Sequence, residues 1–284
     1  MSGEPSFITW EAAVRWLRKQ PDKVELVRAA YYDDPLLAAC ERYRSSEEWE
    51  TIRAWLRGRI GSALDVGAGR GIASYALAKE GFAVSALEPD PSSLVGAGAI
   101  RSLAHDTELP IHAVEEFSER LPFADDSFDI VFARAVLHHT TDLKAACREF
   151  YRVQKPGGLF IAVREHVLSK PEDLPAFLDA HPLHKLYGGE HAFLLNDYQT
   201  ALDQAGFETD AVLRPLESPV NYSPNTKVDL RDEIVARLST AVGGSGIWES
   251  LLTPTWVLNG ALRAISAFDS RPGRLYSFVC HKPR

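Results

Sequence analysis

Cysteine is scarce in this chain, and its three copies do not group: Cys40, Cys147 and Cys280 are far apart, with no C-x-x-C pair. That argues against a disulfide framework or a cysteine zinc site and reads as buried thiols in a reducing compartment. Positive charge is short as well. Lys and Arg number 31 against 39 Asp and Glu, a net charge of −8. Without a basic stripe to neutralise phosphates, a general nucleic-acid binder is disfavoured. No apolar run approaches the roughly 18 residues of a membrane span, and Met1 to Ser6 lacks a basic-then-apolar signal. No membrane partner and a cytoplasmic location are therefore expected. Internal repeats are missing too. What remains, 284 residues at 45% hydrophobic and 25% charged, suits one large α/β domain with additions or two small domains.

The densest signal is Ala63 to Gly71, Ala-Leu-Asp-Val-Gly-Ala-Gly-Arg-Gly. An apolar run ends in Gly67, Gly69 and Gly71, and the helix-compatible stretch Ile72 to Lys79 follows. Strand, glycine turn and helix together let backbone approach a nucleotide-like ligand. Glycine is required where a Cβ would block the ligand or the turn's positive φ angles. A dinucleotide fingerprint would put its third glycine at position 72, where Ile72 stands, so an NAD(P)-dependent oxidoreductase is disfavoured.

Periodicity organises the rest. Residues 8 to 58 carry apolar residues at helical spacing, with Trp10, Trp16, Trp49 and Trp55 read as core. Ser45-Ser46 before Glu47-Glu48 suits a helix N-terminus. From 59 onward, strands are expected at 63–66, 82–87, 110–114, 128–133 and 159–163, separated by helical patterns. A sixth follows at 207–213 and a last at 275–280. Alternating β and α predicts a doubly wound, mostly parallel seven-stranded sheet, because parallel neighbours need crossovers. The organisation read from this is an N-terminal helical cap (1–58), a core (59–216) with a lid-like loop (169–192), a helical insertion (217–273) and a final core strand (274–284). The insertion is read as a lid or a homodimer surface. Ligands bind beyond the C-terminal ends of such strands.

Glu88 ends the second strand about 20 residues after the glycine turn, where a carboxylate can accept from both hydroxyls of a ribose. Further along come Glu119-Arg-Leu-Pro-Phe-Ala-Asp-Asp-Ser-Phe-Asp129, Val136-Leu-His-His139 and Arg152-Val-Gln-Lys-Pro-Gly-Gly158. In order and spacing, residues 60 to 165 resemble the class I S-adenosylmethionine (SAM) methyltransferases, nearest the group that includes ubiquinone- and menaquinone-biosynthesis enzymes. The resemblance implies a Rossmann-like fold and SAM as cofactor, with S-adenosylhomocysteine as product. It implies that Asp65 and the turn Gly67, Ala68, Gly69 and Gly71 hold the amino-acid end of SAM, with Glu88 and Pro89 at the ribose. Phe117 and Ser118 would border the adenine, although the family often has an acid where Phe117 stands; Glu116 or Glu119 are the available substitutes. Ala133 and Arg134 would lie beside the methionine moiety and the substrate, with His138 a further cofactor-binding candidate.

The implied chemistry is in-line displacement at a sulfonium methyl, in which orientation and water exclusion dominate. A hydroxyl or ammonium acceptor gains from a base near neutrality, and histidine suits that role. His139, His191, Arg134 and Glu165 are the catalytic candidates. The stretch His181 to His191 holds three histidines and Glu190, and four readings stay open for it: a base, a grip on an anionic substrate with Lys185, a divalent metal site, or a solvated loop. No metal ligand set is assigned. Asn221 and Tyr222 are read as closing over the pocket, with Tyr222 equally a core residue. The acceptor is expected to be a small molecule, with Arg134, Arg164, Lys185 and His191 pointing to an anionic or hydroxylated one. Charge disfavours a nucleic-acid methyltransferase, as does Ala-Arg-Ala-Val where Asn/Asp-Pro-Pro-Tyr/Phe would stand. The rival reading from another class is a catalytically silent SAM-binding or scaffold protein.

Overall fold

The computed structural model describes residues 7–181 and 183–284; Met1 to Ser6, read above for a targeting signal, lie outside them. Four helices come first: Trp10–Leu17, Val24–Ala29, Leu36–Arg44 and Glu47–Leu56. The starts of the first and fourth are written in the sequence. Thr9 Oγ1 accepts from the Ala12 N–H at 3.2 Å, and Ser46 Oγ accepts from the Trp49 N–H at 3.1 Å, each satisfying a donor that the first turn leaves free.

Eight strands follow: β1 (Gly61–Val66), β2 (Phe82–Leu87), β3 (Ile111–Val114), β4 (Phe128–Arg134), β5 (Gln154–Leu168), β6 (Phe193–Leu194), β7 (Glu208–Leu213) and β8 (Arg274–His281). Their order is β3-β2-β1-β4-β5-β8-β7, with β6 paired to β5. β1 to β5 run parallel, and β8 runs antiparallel to β5 and β7. The seven expected strands are all present. The two-residue β6 is additional, too short to leave a periodic signal. Chain order reverses between β1 and β4, the switch point beside which doubly wound sheets bind ligands.

Both faces of the sheet are covered, which is why β4 carries the unbroken apolar run Ile130 to Ala133. On one face Ala63, Ile130, Phe132, Ile161 and Val163 pack under Tyr43, Trp49 and Ile52 of the N-terminal helices and Ala76 and Leu77 of helix Ile72–Lys79. On the other, Leu64, Val131, Phe160 and Phe278 pack against Ala146, Phe150, Tyr198 and Leu202 of helices Leu143–Val153 and Leu195–Ala205. Trp49 is fully buried, as expected, but Trp16 is 43% exposed and does not join the core. The thiols of Cys40, Cys147 and Cys280 are free and buried.

Two stretches differ from the expected layout. Residues 169–192, read as a lid-like loop, fold into helices Leu174–Ala180 and His184–Tyr187. Strand β5 runs on to Leu168, so Arg164, Glu165 and His166 lie inside it instead of in an exit loop. A register shift against β8 falls between Ala162 and Glu165, and Arg164 sits at φ +63°. Such a bulge re-aims side chains, here sending Arg164 and Glu165 to opposite faces. The late helices Lys227–Val242 and Thr255–Phe268 bury Leu230, Leu258 and Leu262 with Tyr222, and leave Trp256 and Phe268 in solvent. Among the described residues no helix is long and apolar enough to cross a membrane.

Candidate functional site

β1 delivers the chain into a turn where Gly67, Gly69 and Gly71 have φ of +59°, +54° and +82°, a region that L side chains avoid. The three are glycine for different reasons. A Cβ on Gly67 would lie 2.6 Å from a Val136 methyl, and one on Gly71 would lie 3.2 Å from Ile100. One on Gly69 would meet nothing nearer than the Val95 carbonyl at 3.9 Å. Gly67 and Gly71 thus permit packing, while Gly69 opens a cradle.

Glu88 lies at the floor of that cradle. Its Oε2 accepts from the Gly69 N–H at 2.8 Å and its Oε1 from the Asp90 N–H at 2.9 Å. A carboxylate offers about four acceptor sites, so each oxygen retains capacity for a ligand hydroxyl. Burial raises the Glu88 pKa from its ordinary value in spite of the two N–H donors. The Ala68 N–H donates to the Leu87 carbonyl at 2.9 Å, pinning the turn to β2. Asp65 is buried beneath it and accepts the Ser74 hydroxyl at 2.5 Å. Burial pushes Asp65 up to about 7, against the Ser74 hydroxyl and N–H that favour its charge. An open glycine cradle and an acid with spare acceptors fit the ribosyl-methionine part of SAM.

At the rim Pro89 is exposed, Ser118 is half-buried and Phe117 is 67% exposed, free to cover a flat ring. Glu119 does not substitute for the missing acid. Its carboxylate accepts from the Thr141 N–H at 2.8 Å and the Ser118 hydroxyl at 3.2 Å, while Glu116 points to solvent.

β4 ends in Ala133, fully buried, and Arg134, whose guanidinium turns towards the N-terminal helices. Its Nε and Nη2 lie 2.7 and 3.1 Å from Glu48, and it sits over the rings of Tyr31 and Tyr43, 5.5 and 5.3 Å from their centroids. The Arg164 guanidinium reaches within 3.8 Å of Glu48 and donates to the Val220 and Ser223 carbonyls at 3.1 and 2.9 Å. Arg134, expected to serve catalysis and the cofactor, is committed to this buried box. Asn221 and Tyr222 are likewise internal. The Asn221 amide donates to the Leu213 and Arg214 carbonyls, and its Oδ1 accepts from the Ser277 hydroxyl.

Beyond β4 the chain turns through His138 and His139. Glu165, expected among the catalytic residues, is fully buried and holds that turn. It accepts from the Val136 and His138 N–H groups at 3.1 Å each and from His138 Nδ1 at 2.7 Å. The His139 Nδ1–H donates to the Gly189 carbonyl at 2.9 Å. Both rings therefore present Nε2 to Glu190, His138 at 3.9 Å and His139 at 3.8 Å from Oε2. Burial, reinforced by His139, lowers the His138 pKa well below its usual value. Burial alone would raise Glu190, but His139, His181 and the Tyr187 hydroxyl outweigh it and hold the carboxyl low. His191 stands apart, its ring 4.5 Å from Phe193. Lys185 is exposed and pairs loosely with Asp179.

One residue at the site, Arg70, escaped the sequence reading, while the segment Tyr31 to Asp34 that it holds was read as able to lie over the ligand cleft. Arg70, between Gly69 and Gly71 of the turn, is buried. Its Nη1 donates to the Tyr31 and Asp33 carbonyls at 3.0 and 2.8 Å, and its Nη2 pairs with Asp34. That clamp sets Tyr32 among the charges of Glu190, Arg134, Glu88 and Arg70, and burial raises its hydroxyl pKa strongly. Tyr32 also packs with Trp10, Leu94, Leu186 and Tyr187 around Val95 and Leu183, so the first helix and residues 183–187 form one wall over the turn. A separate cleft of about 410 Å³, lined by Arg53, Arg59, Glu80 and Phe82, opens at the N-terminal strand ends, the wrong end for a ligand in this architecture.

Residues 64–162 match the family model of a methyltransferase domain. A ubiquinone biosynthesis O-methyltransferase of Methylobacterium nodulans is 36% identical over 101 residues, 36% of this chain and 39% of that relative. The chain spans less than two thirds of the length of the first curated relatives it matches, 39%, 45% and 58%. A Galdieria sulphuraria structure described as a sarcosine dimethylglycine methyltransferase superposes with a TM-score of 0.60 at 16% identity, covering 96% of this chain and 98% of that one. A Haemonchus contortus phosphoethanolamine N-methyltransferase, solved with S-adenosylhomocysteine and phosphomonomethylethanolamine, superposes at 0.54 and 17% identity, covering 95% and 61%.

Proposed function

Residues 64–162 belong to the class I SAM-dependent methyltransferases, and on that premise we propose that the chain transfers a methyl group from SAM to a small-molecule acceptor. The observation that carries this reading is the cradle over Gly69 with the Glu88 carboxylate across its floor. When bound there, SAM supplies an electrophilic sulfonium methyl. Glu88 holds the ribose hydroxyls through its free acceptor sites, and Gly69 lets the donor approach backbone closely. The wall built from Trp10, Leu183, Leu186 and Tyr187 excludes water from the same side, which strengthens polar contacts within. Tyr32 stays protonated because its pKa is raised, so its hydroxyl can donate to an acceptor and orient it. Tyr32, His139 and Glu190 favour an acceptor bearing a hydroxyl, amine or carboxylate.

Calorimetry with S-adenosylhomocysteine tests the donor half of the proposal. The wild type should bind one equivalent, Glu88→Ala should lose most of the affinity and Gly67→Arg all of it. Methyl transfer from labelled SAM to a panel of polar small molecules tests the acceptor half. A wild-type protein that binds neither SAM nor its product would end the proposal. Binding without transfer to any acceptor would leave the silent SAM-binding alternative.

A further inference from the structure

We propose that His138, His139 and Glu190 form a site for one divalent transition-metal ion, with zinc the best match to the donors. The three ligand atoms lie within 4.8 Å of one another. The Glu190 Oε2 apex stands 3.9 Å from His138 Nε2 and 3.8 Å from His139 Nε2. Donors about 2.0 to 2.2 Å from a common zinc ion are roughly 3.3 to 3.8 Å apart at tetrahedral or wider angles. The two imidazole–carboxylate distances need to close by only a few tenths of an ångström to reach that range. Two imidazoles and one carboxylate leave a fourth position open, the arrangement of a reactive rather than a purely structural zinc.

Two independent features point to an ion. The first is an orphan: Glu190 Oε2 is buried and has no hydrogen-bond partner, while the Glu190 side chain is only 4% exposed. Its other oxygen is held by the Tyr187 hydroxyl and lies 3.5 Å from His181 Nε2, so Oε2 is steered towards the two rings. A buried carboxylate oxygen without a partner is costly. The second is tautomer control. His138 Nδ1–H is directed to the Glu165 carboxylate and His139 Nδ1–H to the Gly189 carbonyl. Metal-bound histidines characteristically give their second ring N–H to a carboxylate or a backbone carbonyl. Both rings do so here, and both leave Nε2 with a lone pair facing Glu190.

The proposal changes the role of His139 from a general base to a metal ligand. Resting on the methyl-transfer reading, the open position would face the acceptor beside Tyr32 and polarise its hydroxyl, amine or carboxylate. Metal binding itself does not depend on that reading.

The test is calorimetric titration of chelator-treated full-length protein with Zn²⁺, with visible absorption of the Co²⁺ form as the second readout. One equivalent should bind, and Co²⁺ should show the intense d–d bands of a four- or five-coordinate site. Glu190→Gln and His139→Gln should each weaken Zn²⁺ by about 100-fold or more, and His184→Ala, at the start of helix His184–Tyr187 and outside the triangle, should not. S-adenosylhomocysteine affinity and circular dichroism, measured on every variant, separate metal loss from misfolding and from failure of the donor site. Absence of stoichiometric binding in the wild type overturns the proposal. So does binding that survives both ligand substitutions, which would mark an adventitious surface histidine.

Discussion

Arg134 and Glu48 form a two-pronged ion pair across 86 residues of chain, with contacts of 2.7 and 3.1 Å and the carboxylate almost wholly buried. Arg164 approaches the same carboxylate, so two guanidinium groups depend on one acid. Removing one partner of a buried pair leaves a charge that nothing compensates. Glu48→Gln is therefore expected to destabilise the protein by about 3 to 5 kcal/mol. A urea midpoint within error of wild type, at unchanged slope, would show that solvent already screens the pair.

The glycine turn predicts a split between two similar substitutions. Gly67→Ala places a methyl 2.6 Å from Val136 at φ +59°, adding overpacking of about 1 to 3 kcal/mol to the left-handed strain of about 1 to 2 kcal/mol. Val136→Ala in the same chain should relieve the overpacking part. Gly69→Ala carries only the backbone strain, yet its methyl projects into the open cradle. It should lose affinity for S-adenosylhomocysteine out of proportion to its smaller stability loss. Equal effects of the two variants on both calorimetry and urea unfolding would contradict the assignment.

Arg70 predicts a local effect with the fold retained. Its hydrogen bonds to the Tyr31 and Asp33 carbonyls and its pair with Asp34 are charge-assisted, about 1.5 to 3 kcal/mol each. In Arg70→Ala, amide hydrogen exchange of Tyr31 to Asp34 should accelerate at least about tenfold, while exchange in β1 and β4 stays put. Arg70→Lys should not restore protection, because a single ammonium cannot span the same acceptors. Uniform acceleration through the sheet would mean that Arg70 supports the whole fold.

Asp65 predicts a pH dependence. Burial lifts its folded-state value to about 7, from 3.8 for the free side chain. Between those values the unfolded chain releases a proton that the folded chain keeps, so stability falls as pH rises. The slope from this group approaches 1.4 kcal/mol per pH unit and vanishes below about 4 and above about 7. Asp65→Asn removes the titration and can still accept from Ser74. Wild type should lose stability relative to the variant across that window, by a few kcal/mol in total. A difference that does not change between pH 4 and 8 would refute the shift.

How much of the site was legible follows the range of each interaction. Gly69 and Glu88 belong to one β-turn-α-β unit, so spacing alone brought them together. The strands of the sheet showed through as apolar runs because both of its faces are covered. β5 was read too short because Arg164, Glu165 and His166 break its apolar pattern. Their burial rests on Glu48, His138 and the Gly273 carbonyl, none of which is near them in sequence. The burial of Arg134 against a distant partner was hidden for the same reason. Its partner Glu48 sits in a helix whose local pattern says only that one face is buried.

The chain's own order of residues determined the donor end of this protein: a glycine turn between strand and helix, an acid one strand later and a sheet that places both at the C-terminal ends of neighbouring strands. Those relations are short in sequence, and backbone sterics and strand period enforce them. Tertiary structure alone decided which polar side chains are free to act. It withdrew Arg134 and Glu165 into buried partnerships, brought Arg70 onto Tyr31 to Asp34, and set Glu190 against His138 and His139. A buried charge must find a partner wherever the packed chain offers one, and that requirement leaves no periodic trace in the sequence.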